Sequence, residues 1–424
     1  MRRTSISTLI ASIAIAALTV SGCGSSAGSG TGSGPATAGP VELAMWTGFT
    51  GGDRAAYESL VTQFNSSHPN IKVTMEVQPW DTIAQKLPSA WATGQGPDLA
   101  TPNFDPNVLG EYLKSNSLLA LDATGDGDMK INADKLAPSA IKAFTVDGKL
   151  YAVPANIATL QLYYNKKLLS AAGLTNPPAT VDELRTDAQK LTGNGVFGLS
   201  LADHETIQMW PVLQWLDGGD IVGTDGCSQL DTQANIDSLT RWAALVRAKA
   251  APVGLTGAES DALFSAGKAA MQLNGPWAAA GYTQAGIDLG VAPVPTGVNG
   301  KVTLASTVPL AVSAKTAHPA EAQQFLAWWT GKDAQRTFAL ASGFPPVRTD
   351  MGDDSKLAAN AVVAKFAAAL PEARLYLPGV IGAPKVDSEA YIPLIGAITR
   401  GKDVATEVKT ASAAINSITG CSGT

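Results

Sequence analysis

The sequence predicts an α/β protein with doubly wound sheets, because strand and helix patterns alternate along the folded part of the chain. Apolar and polar residues alternate over 41–45 and again over 71–77, as in half-buried strands. Between these stretches, apolar residues over 57–64 recur at three- and four-residue spacing, which gives a helix one buried face. A helical stretch over about 81–92 and a short strand at 98–100 follow. This order predicts a parallel sheet with ligand loops at the carboxyl ends of its strands.

Later parts of the chain continue the same alternation. Asp147-Gly148 predicts a tight hairpin turn over 146–149, because both residues tolerate a positive φ. A second α/β unit is predicted over roughly 158–303, and apolar residues over 322–329 mark another helical face. No repeat at the period of a solenoid is visible.

The N-terminus reads as a secretory leader with a lipid attachment site. Arg2 and Arg3 precede an apolar stretch over 6–20, and small residues lead to Cys23. This ending resembles the lipobox of bacterial lipoproteins, which implies cleavage before Cys23 and acylation of that residue. The alternative is an uncleaved helical anchor, for which the apolar stretch is short. We therefore expect a signal peptide over 1–22 and a flexible, low-complexity tether over 23–39 outside the cytoplasm.

Composition excludes several classes of partner. A net charge of −6 without a basic stripe argues against nucleic acid. The three histidines are scattered, so neither a metal nor a cofactor is expected. If Cys23 is lipidated, Cys227 and Cys421 remain, and in an oxidising compartment they predict one disulfide; two free buried thiols are the alternative.

Five segments carry a family resemblance: 46–73, 94–99, 154–169, 264–277 with Asn274-Gly275-Pro276-Trp277, and the helix around Trp329 continuing to Arg348. Together, and in this order, they resemble the extracellular solute-binding proteins of carbohydrate ABC importers, the group of maltose-binding protein. The resemblance implies two doubly wound α/β lobes joined by hinges, the periplasmic-binding-protein fold of type II. It also implies a monomeric binding protein and no enzyme, with a carbohydrate ligand and a membrane permease as partners. The membrane would be reached only through the lipid.

The resemblance also implies where the chain divides. The lobe crossings are expected near Ile157, Ser306 and Pro345. The first lobe then contains 40–156 and 309–344, and the second contains 157–308 and 345–424.

Sugar recognition needs flat aromatic rings against the apolar faces of the sugar and polar groups around its hydroxyl rim. By resemblance, Trp277 stacks on the sugar and Asn274 donates to a hydroxyl, unless Asn274 only caps the turn. Core packing is the alternative for Trp46 and Trp210, and helix capping is the alternative for Asp81 and Asp105. Where the family has charged contacts after the first strand, this chain has Thr50; where it has an aromatic pair after Glu205, this chain has Thr206-Ile207-Gln208. The expected ligand-binding residues are Trp46, Phe49, Thr50, Trp80, Asp105, Glu205, Trp210, Asn274, Trp277, Phe344, Arg348 and Tyr391.

Three rival interpretations remain beside a sugar-importer component, and one of them is a lectin-like surface adhesin without a permease. Arg348 would suit the phosphate of a glycerol-3-phosphate or glycerophosphodiester ligand. An exported glycoside-cleaving enzyme is a second rival, because paired acids are not visible from sequence spacing. The loop from Asp122 partly matches a calcium loop, but Ala133 stands where a bidentate Glu is needed, so calcium is not expected.

Overall fold

The computed structural model describes residues 39–103, 106–378, 380 and 382–421. Cys23, the leader and the tether lie outside the described residues, as do Phe104 and Asp105. Pro40 and the chain after it form one compact unit. The strands are β1 Val41–Thr47, β2 Ile71–Val77, β3 Leu99–Ala100, β4 Thr145–Val146, β5 Lys149–Leu150, β6 Ala152–Thr159, β7 Gln161–Asn165, β8 Phe197–Ser200, β9 Ala269–Asn274, β10 Leu289–Ala292, β11 Thr303–Val312 and β12 Ala373–Leu375.

Helices cover both sheets. Within the described residues, no helix is both long enough and apolar enough to cross a membrane. The helices are α1 Arg54–Ser67, α2 Trp80–Thr93, α3 Leu109–Lys114, α4 Pro138–Phe144, α5 Lys166–Ala171, α6 Val181–Leu191, α7 Met209–Leu216, α8 Gln233–Arg247, α9 Gly257–Ser265, α10 Ala279–Gln284, α11 Pro319–Trp329, α12 Lys332–Ser342, α13 Ser355–Ala359, α14 Ala361–Ala368, α15 Ala383–Lys385, α16 Ile392–Thr399 and α17 Val404–Thr419.

The first sheet has the order β12-β11-β3-β1-β2, with β6 paired to β11 beside this path. β1 runs parallel to both β2 and β3, and α1 and α2 are the crossovers between them. α1 buries the predicted face, including Tyr57, Leu60 and Phe64. The predicted order of strand, helix, strand, helix and short strand is confirmed. The hairpin is confirmed too, since φ is +49° at Asp147 and +73° at Gly148.

The second sheet has the order β10-β7-β9-β8 and is mixed. β8 and β9 pair in parallel, whereas β7 pairs antiparallel with both β9 and β10. The sequence predicted a parallel sheet for the first α/β unit, but β11 pairs antiparallel with β3 and β6 there. In the second sheet, β7 leads the chain in and β10 leads it back out, so these two strands run in opposite directions.

Two separate hydrophobic cores lie on the two sheets. One contains apolar residues from 43–158 and 308–347, and the other contains apolar residues from 160–304 and 377–415. We use first lobe and second lobe for the parts around these cores. Along the chain, the change from one core to the other falls on β6, on β11 and between residues 347 and 377.

β6 and β11 form the connection between the lobes. They pair antiparallel from Ala305 opposite Thr159 to Ala311 opposite Ala152, with an irregularity between Val308 and Pro309. Asn156, on β6, is 4% exposed and ties the strands together with its side chain. Its amide donates to the Tyr57 hydroxyl at 2.6 Å, and its side-chain oxygen accepts from the Val308 N–H at 3.3 Å.

The C-terminal helix is attached to the second lobe near its end. Cys227 and Cys421, for which the sequence predicts a disulfide, have their sulfur atoms 1.93 Å apart and their Cα atoms 5.3 Å apart. Asn416, on α17, also accepts a hydrogen bond from the Ser228 N–H at 2.7 Å.

Candidate functional site

Half-buried indoles and one exposed hydroxyl lie at or just after the carboxyl ends of the first strands of the first lobe. Trp46 is near the end of β1, and Trp80 is the first residue of α2. The Trp80 ring packs so closely on Gly48 that a Cβ there would lie 2.1 Å from the ring. Thr50 is exposed in the loop after β1. We call Trp46, Thr50 and Trp80 the aromatic face, because two of these three residues are tryptophans.

The glycine-rich loop after β1 brings the two lobes into contact. A Cβ on Gly52 would lie 3.0 Å from the Gly281 backbone nitrogen and 3.2 Å from the Trp277 carbonyl oxygen. Backbone atoms cannot move aside as a flexible side chain can, so only glycine allows this approach without a local shift. The loop of the first lobe is therefore seated on the short helical segment that carries Trp277.

Trp277 lies where the cores meet. Its half-buried ring packs against residues of both lobes, and its centroid is 6.4 Å from that of Phe344. The ring also folds over Gly275, where a Cβ would lie 2.0 Å from it. Part of the Trp277 indole therefore stays accessible beside the lobe contact.

A cavity of about 50 Å³ lies in the second lobe against the connecting strand β11. Two carboxylates and a phenol belong to its wall, and the Tyr376 hydroxyl donates to Asp387. Glu205 is exposed and has an unusual φ of +60°. We call this space the acidic cavity; its lining residues are Glu205, Thr206, Ile207, Gln208, Pro211, Leu304, Ala305, Ser306, Leu375, Tyr376 and Asp387.

Two more carboxyl groups lie close to the lobe contact. Asp53, at the start of α1, is 4% exposed, and burial raises its pKa to about 7 with a smaller contribution from Asp261. Asp261, on α9, is partly buried, and burial raises its pKa to about 6. Hydrogen bonds from Gln272 at 2.8 Å and from Asn274 at 2.6 Å favour the charged form of Asp261 and limit this rise.

Some residues expected to bind ligand are core residues in the structure. Trp210 is fully buried, and its indole N–H donates to the Ala202 carbonyl at 2.8 Å. Tyr391 is also fully buried, and its hydroxyl donates to Gln214. Neither ring has a face left for a sugar, because their apolar surfaces complete the second core. We leave both out of the proposed site.

Phe49, Phe344 and Asn274 are likewise buried. Phe49 stacks on Tyr57 with 3.6 Å between ring centroids, and Phe344 is 1% exposed beneath Trp277. The Asn274 amide is used by Asp261, as described above, and its oxygen accepts from the Gly275 N–H at 2.9 Å. These three residues pack behind the site and are not free to contact ligand.

Arg348 is held inside the first lobe. Its guanidinium binds both oxygens of Asp350, at 2.8 and 2.9 Å, and donates to the Thr330 carbonyl at 3.1 Å. A phosphate ligand would have to displace a bidentate carboxylate from a side chain that is 9% exposed.

Sequence reasoning missed Gln208, Tyr376 and Asp387. All three line the acidic cavity, yet they come from segments almost 180 residues apart in the chain. The sequence places the Glu205 segment in the site, and Gln208 is three residues further on. For Tyr376 and Asp387 no spacing in the sequence points to the cavity.

Metal binding finds no support in the described part of the chain, where no group of three or more His, Cys, Asp or Glu residues is placed to hold an ion. In the loop that partly matches a calcium site, Asp122 accepts hydrogen bonds from the Thr124 N–H at 2.8 Å and hydroxyl at 2.7 Å. Gln323 closes the loop by donating to the carbonyls of Asp122 and Met129.

Two α/β lobes with separate cores, paired connecting strands and a cavity beside them define a two-lobed binding protein. The chain matches the family of bacterial extracellular solute-binding proteins over residues 49–336 and belongs to that family. The expected family and fold class are thereby confirmed, and so is the expectation of a binding protein rather than an enzyme.

Relatives and solved structures extend this result. A maltotriose-binding protein of Pyrococcus abyssi is 25% identical over 361 residues, which cover 80% of this chain and 74% of that protein. The GacH receptor of Streptomyces glaucescens, solved unliganded and with acarbose, is 25% identical with a TM-score of 0.81, covering 91% of this chain and 100% of that chain. UgpB of Mycobacterium tuberculosis, solved with glycerophosphocholine, is 24% identical with a TM-score of 0.79, covering 90% and 98%. At that identity, UgpB shows the fold alone.

Proposed function

We propose that the protein is the lipid-anchored substrate-binding component of a carbohydrate ABC importer. It captures a mono- or oligosaccharide between its lobes and delivers it to a membrane permease. The observation that carries the proposal is the cavity beside the connecting strands of a chain that belongs to a solute-binding family. Maltotriose, named for one relative, and acarbose, bound to another, support a carbohydrate as the solute.

The proposed sugar site joins the aromatic face and Trp277 to the acidic cavity. Indole rings cover the apolar faces of a pyranose, and carboxylate and amide groups pair with its hydroxyls. Ligand pockets typically have volumes of about 300–1,000 Å³, so a cavity of about 50 Å³ would hold only part of a sugar. The remainder of the sugar would lie between the lobes, against Trp277 and the aromatic face. Asp105 stays a predicted contact outside the described residues.

Binding would work through lobe closure about β6 and β11. We keep the predicted lobe divisions at 156/157 and 308/309 as part of the proposal, and the separate cores support them. The third division is placed after Arg348, because Val347 packs in the first core. A ligand that contacts both lobes binds the closed form more tightly and so shifts the population toward it. The closed form would then present a joint surface to the permease.

A glycerol phosphate ester is a weaker candidate for the ligand. Arg348, the cation expected to bind it, is paired with Asp350 and buried in the first lobe. No Lys or Arg is among the described residues that line the acidic cavity.

A thermal-shift screen tests the proposed function. The mature protein, from Cys23 onward, is melted with mono-, di- and oligosaccharides and with glycerophosphodiesters. A ligand at 100 times its Kd stabilises the folded state by about 2.7 kcal/mol. We expect neutral or basic sugars to raise Tm; if only phosphate esters do so, the carbohydrate assignment is wrong.

Two covalent features belong to the same proposal. Acylation of Cys23 would keep the protein at the outer face of the cell membrane, and Cys23→Ser should release it into the medium. A Cys227–Cys421 disulfide would fix the C-terminal helix. Titration of the denatured, unreduced mature protein should then find no free thiol at these two positions.

A further inference from the structure

We propose that closure of the two lobes takes up one proton at Asp53, so that the protein binds its solute more tightly in acid than at neutral pH. This inference rests on the lobe closure of the proposed function and links that closure to a proton. Three observations carry it: a contact between the lobes beside Asp53, a buried carboxyl group at that contact without a hydrogen-bond partner, and a second carboxyl group that the other lobe brings near.

Asp53 lies next to the contact between the lobes. The preceding residue, Gly52, approaches the second lobe so closely that a Cβ there would lie 3.0 Å from the Gly281 nitrogen and 3.2 Å from the Trp277 carbonyl oxygen. Asp53 itself precedes α1 and is 4% exposed. Separation of the lobes at this contact would therefore let water reach its carboxyl group.

The Asp53 carboxyl group has no hydrogen bond or ion pair with another residue in the described part of the chain. Arg54, the next residue, is exposed, and its guanidinium bonds to Glu58 at 2.7 Å. A buried carboxylate without a donor or a cation is costly, whereas the protonated acid is uncharged and tolerates burial. Burial accordingly raises the pKa of Asp53 to about 7.

The second lobe supplies Asp261 to the same region. Its Oδ1 accepts from the amides of Gln272 and Asn274, at 2.8 and 2.6 Å, and lies 3.1 Å from the Tyr282 hydroxyl. These donors favour the charged form of Asp261, and its negative charge adds to the cost of ionising Asp53. While the lobes are in contact, the proton is therefore held by Asp53.

The other titratable groups around the two carboxyl groups are phenols. Tyr57, on α1, lies near Asp53. Tyr163, on β7, and Tyr282, on α10, lie near Asp261. Burial raises the pKa of all three phenols well above the usual range, so they stay neutral below about pH 8. In the described part of the chain, no lysine, arginine or histidine lowers the pKa of either carboxyl group.

The closed and open forms hold this proton over different pH ranges. With the lobes in contact the pKa of Asp53 is about 7, and exposure to water returns it toward its ordinary value of about 3.9. The closed form thus keeps a proton between about pH 4 and 7 that the open form has released. Closure is most favourable below this range, and rising pH weakens it by up to about tenfold per pH unit until about pH 7.

Proton uptake is measured by calorimetric titration of maltotriose into the mature protein at pH 6, in two buffers of different ionisation enthalpy. We expect binding to take up about one proton, and the Kd to rise at least about tenfold between pH 5 and pH 7.5. Asp53→Asn resembles the protonated acid, so it should take up no proton and keep the tight Kd at both pH values. Asp128→Asn removes an exposed carboxylate of the same lobe and should behave as wild type.

Binding without proton uptake overturns the proton link and leaves the proposed function standing, and so does uptake that survives in Asp53→Asn. If maltotriose does not bind, small-angle scattering from the unliganded protein decides on the proton, whatever the outcome for the proposed function. The radius of gyration should be smaller at pH 5 than at pH 8 in wild type and equal at both in Asp53→Asn. A wild-type radius that does not change with pH then overturns the proposal.

Discussion

The aromatic face in the first lobe and the acidic cavity in the second offer a ligand different kinds of contact. Trp46 and Trp80 provide ring surface, and only Thr50 adds a polar side chain there. In the second lobe, Glu205, Tyr376 and Asp387 provide hydrogen-bonding groups. Ring surface stabilises many sugars alike, whereas buried polar groups reject a ligand that leaves them unpaired. For the proposed sugar site, we therefore expect affinity to be shared between the lobes and discrimination to belong mainly to the second.

The same contrast holds for the acids beside the lobe contact. In the described part of the chain no side chain donates to Asp53 of the first lobe, whereas Gln272, Asn274 and Tyr282 donate to Asp261 of the second. The pKa of Asp53 is accordingly raised further than that of Asp261. Polar support is therefore concentrated in the second lobe.

The largest expected effect concerns Asp53. Because its pKa is raised to about 7 by burial, the folded state holds this proton over a pH range in which the unfolded chain has released it. The free energy of unfolding should therefore fall as pH rises from about 4 to 7, by up to about 4 kcal/mol from this group. Urea unfolding of wild type and Asp53→Asn at pH 5 and pH 8 measures it. The variant should lose most of this difference; an unchanged difference would show that Asp53 is not the group responsible.

Trp277→Ala should give the next largest effect. Removing the ring deletes the surface that contacts both lobes, so we expect an affinity loss of roughly 100-fold for the best sugar. Trp328→Ala is the control, since that half-buried indole packs on Phe64 in the first lobe, with 5.4 Å between ring centroids. Calorimetric titration of both variants separates ligand contact from general destabilisation. Equal losses in the two would remove Trp277 from the site.

Gly52→Ala tests the contact between the two lobes. The added methyl would meet the Gly281 nitrogen at 3.0 Å, so the loop must shift and the closed form should become less favourable. We expect roughly tenfold weaker sugar binding, equivalent to about 1.4 kcal/mol. Gly110→Ala adds the same methyl to α3 with nothing within 4 Å and should leave the Kd unchanged. Small-angle scattering with saturating sugar would show whether the variant stays more open.

Trp210→Phe should have the smallest effect on binding. The substitution removes the hydrogen bond to Ala202 and leaves an apolar ring in the second core, so the unfolding free energy should fall by about 1–2 kcal/mol. The Kd for sugar should stay within twofold of wild type. A selective loss of affinity at unchanged Tm would return Trp210 to the binding site.

Local sequence patterns were sufficient to predict those elements whose structure depends on neighbouring residues. The alternation over 71–77 and the helical spacing over 57–64 reflect which side of an element is buried, and both became the elements expected. The Asp147-Gly148 turn depends on the φ values that two adjacent residues tolerate. Trp277 was predicted to bind ligand from a short motif that resembles the family, and its role stays a prediction.

Burial of individual aromatic rings was not predictable in the same way. Trp210 and Tyr391 have aromatic rings of the kind that stack on sugars, but both rings are packed inside the second core. Arg348 has the chemistry for phosphate, yet Asp350 two residues away takes both ends of its guanidinium. In each case, whether the side chain is accessible to a ligand depends on the neighbours that the fold places around it.

The sequence by itself determined the order of strands and helices, the family and a set of aromatic candidates. These follow from periodic burial and short motifs, which are properties of neighbouring residues. Only the tertiary structure decided which candidates remain accessible, and only it brought Glu205 and Tyr376 to one cavity with Asp387. The physical reason is that burial and electrostatic partnership depend on distances in space between segments that lie far apart in the chain.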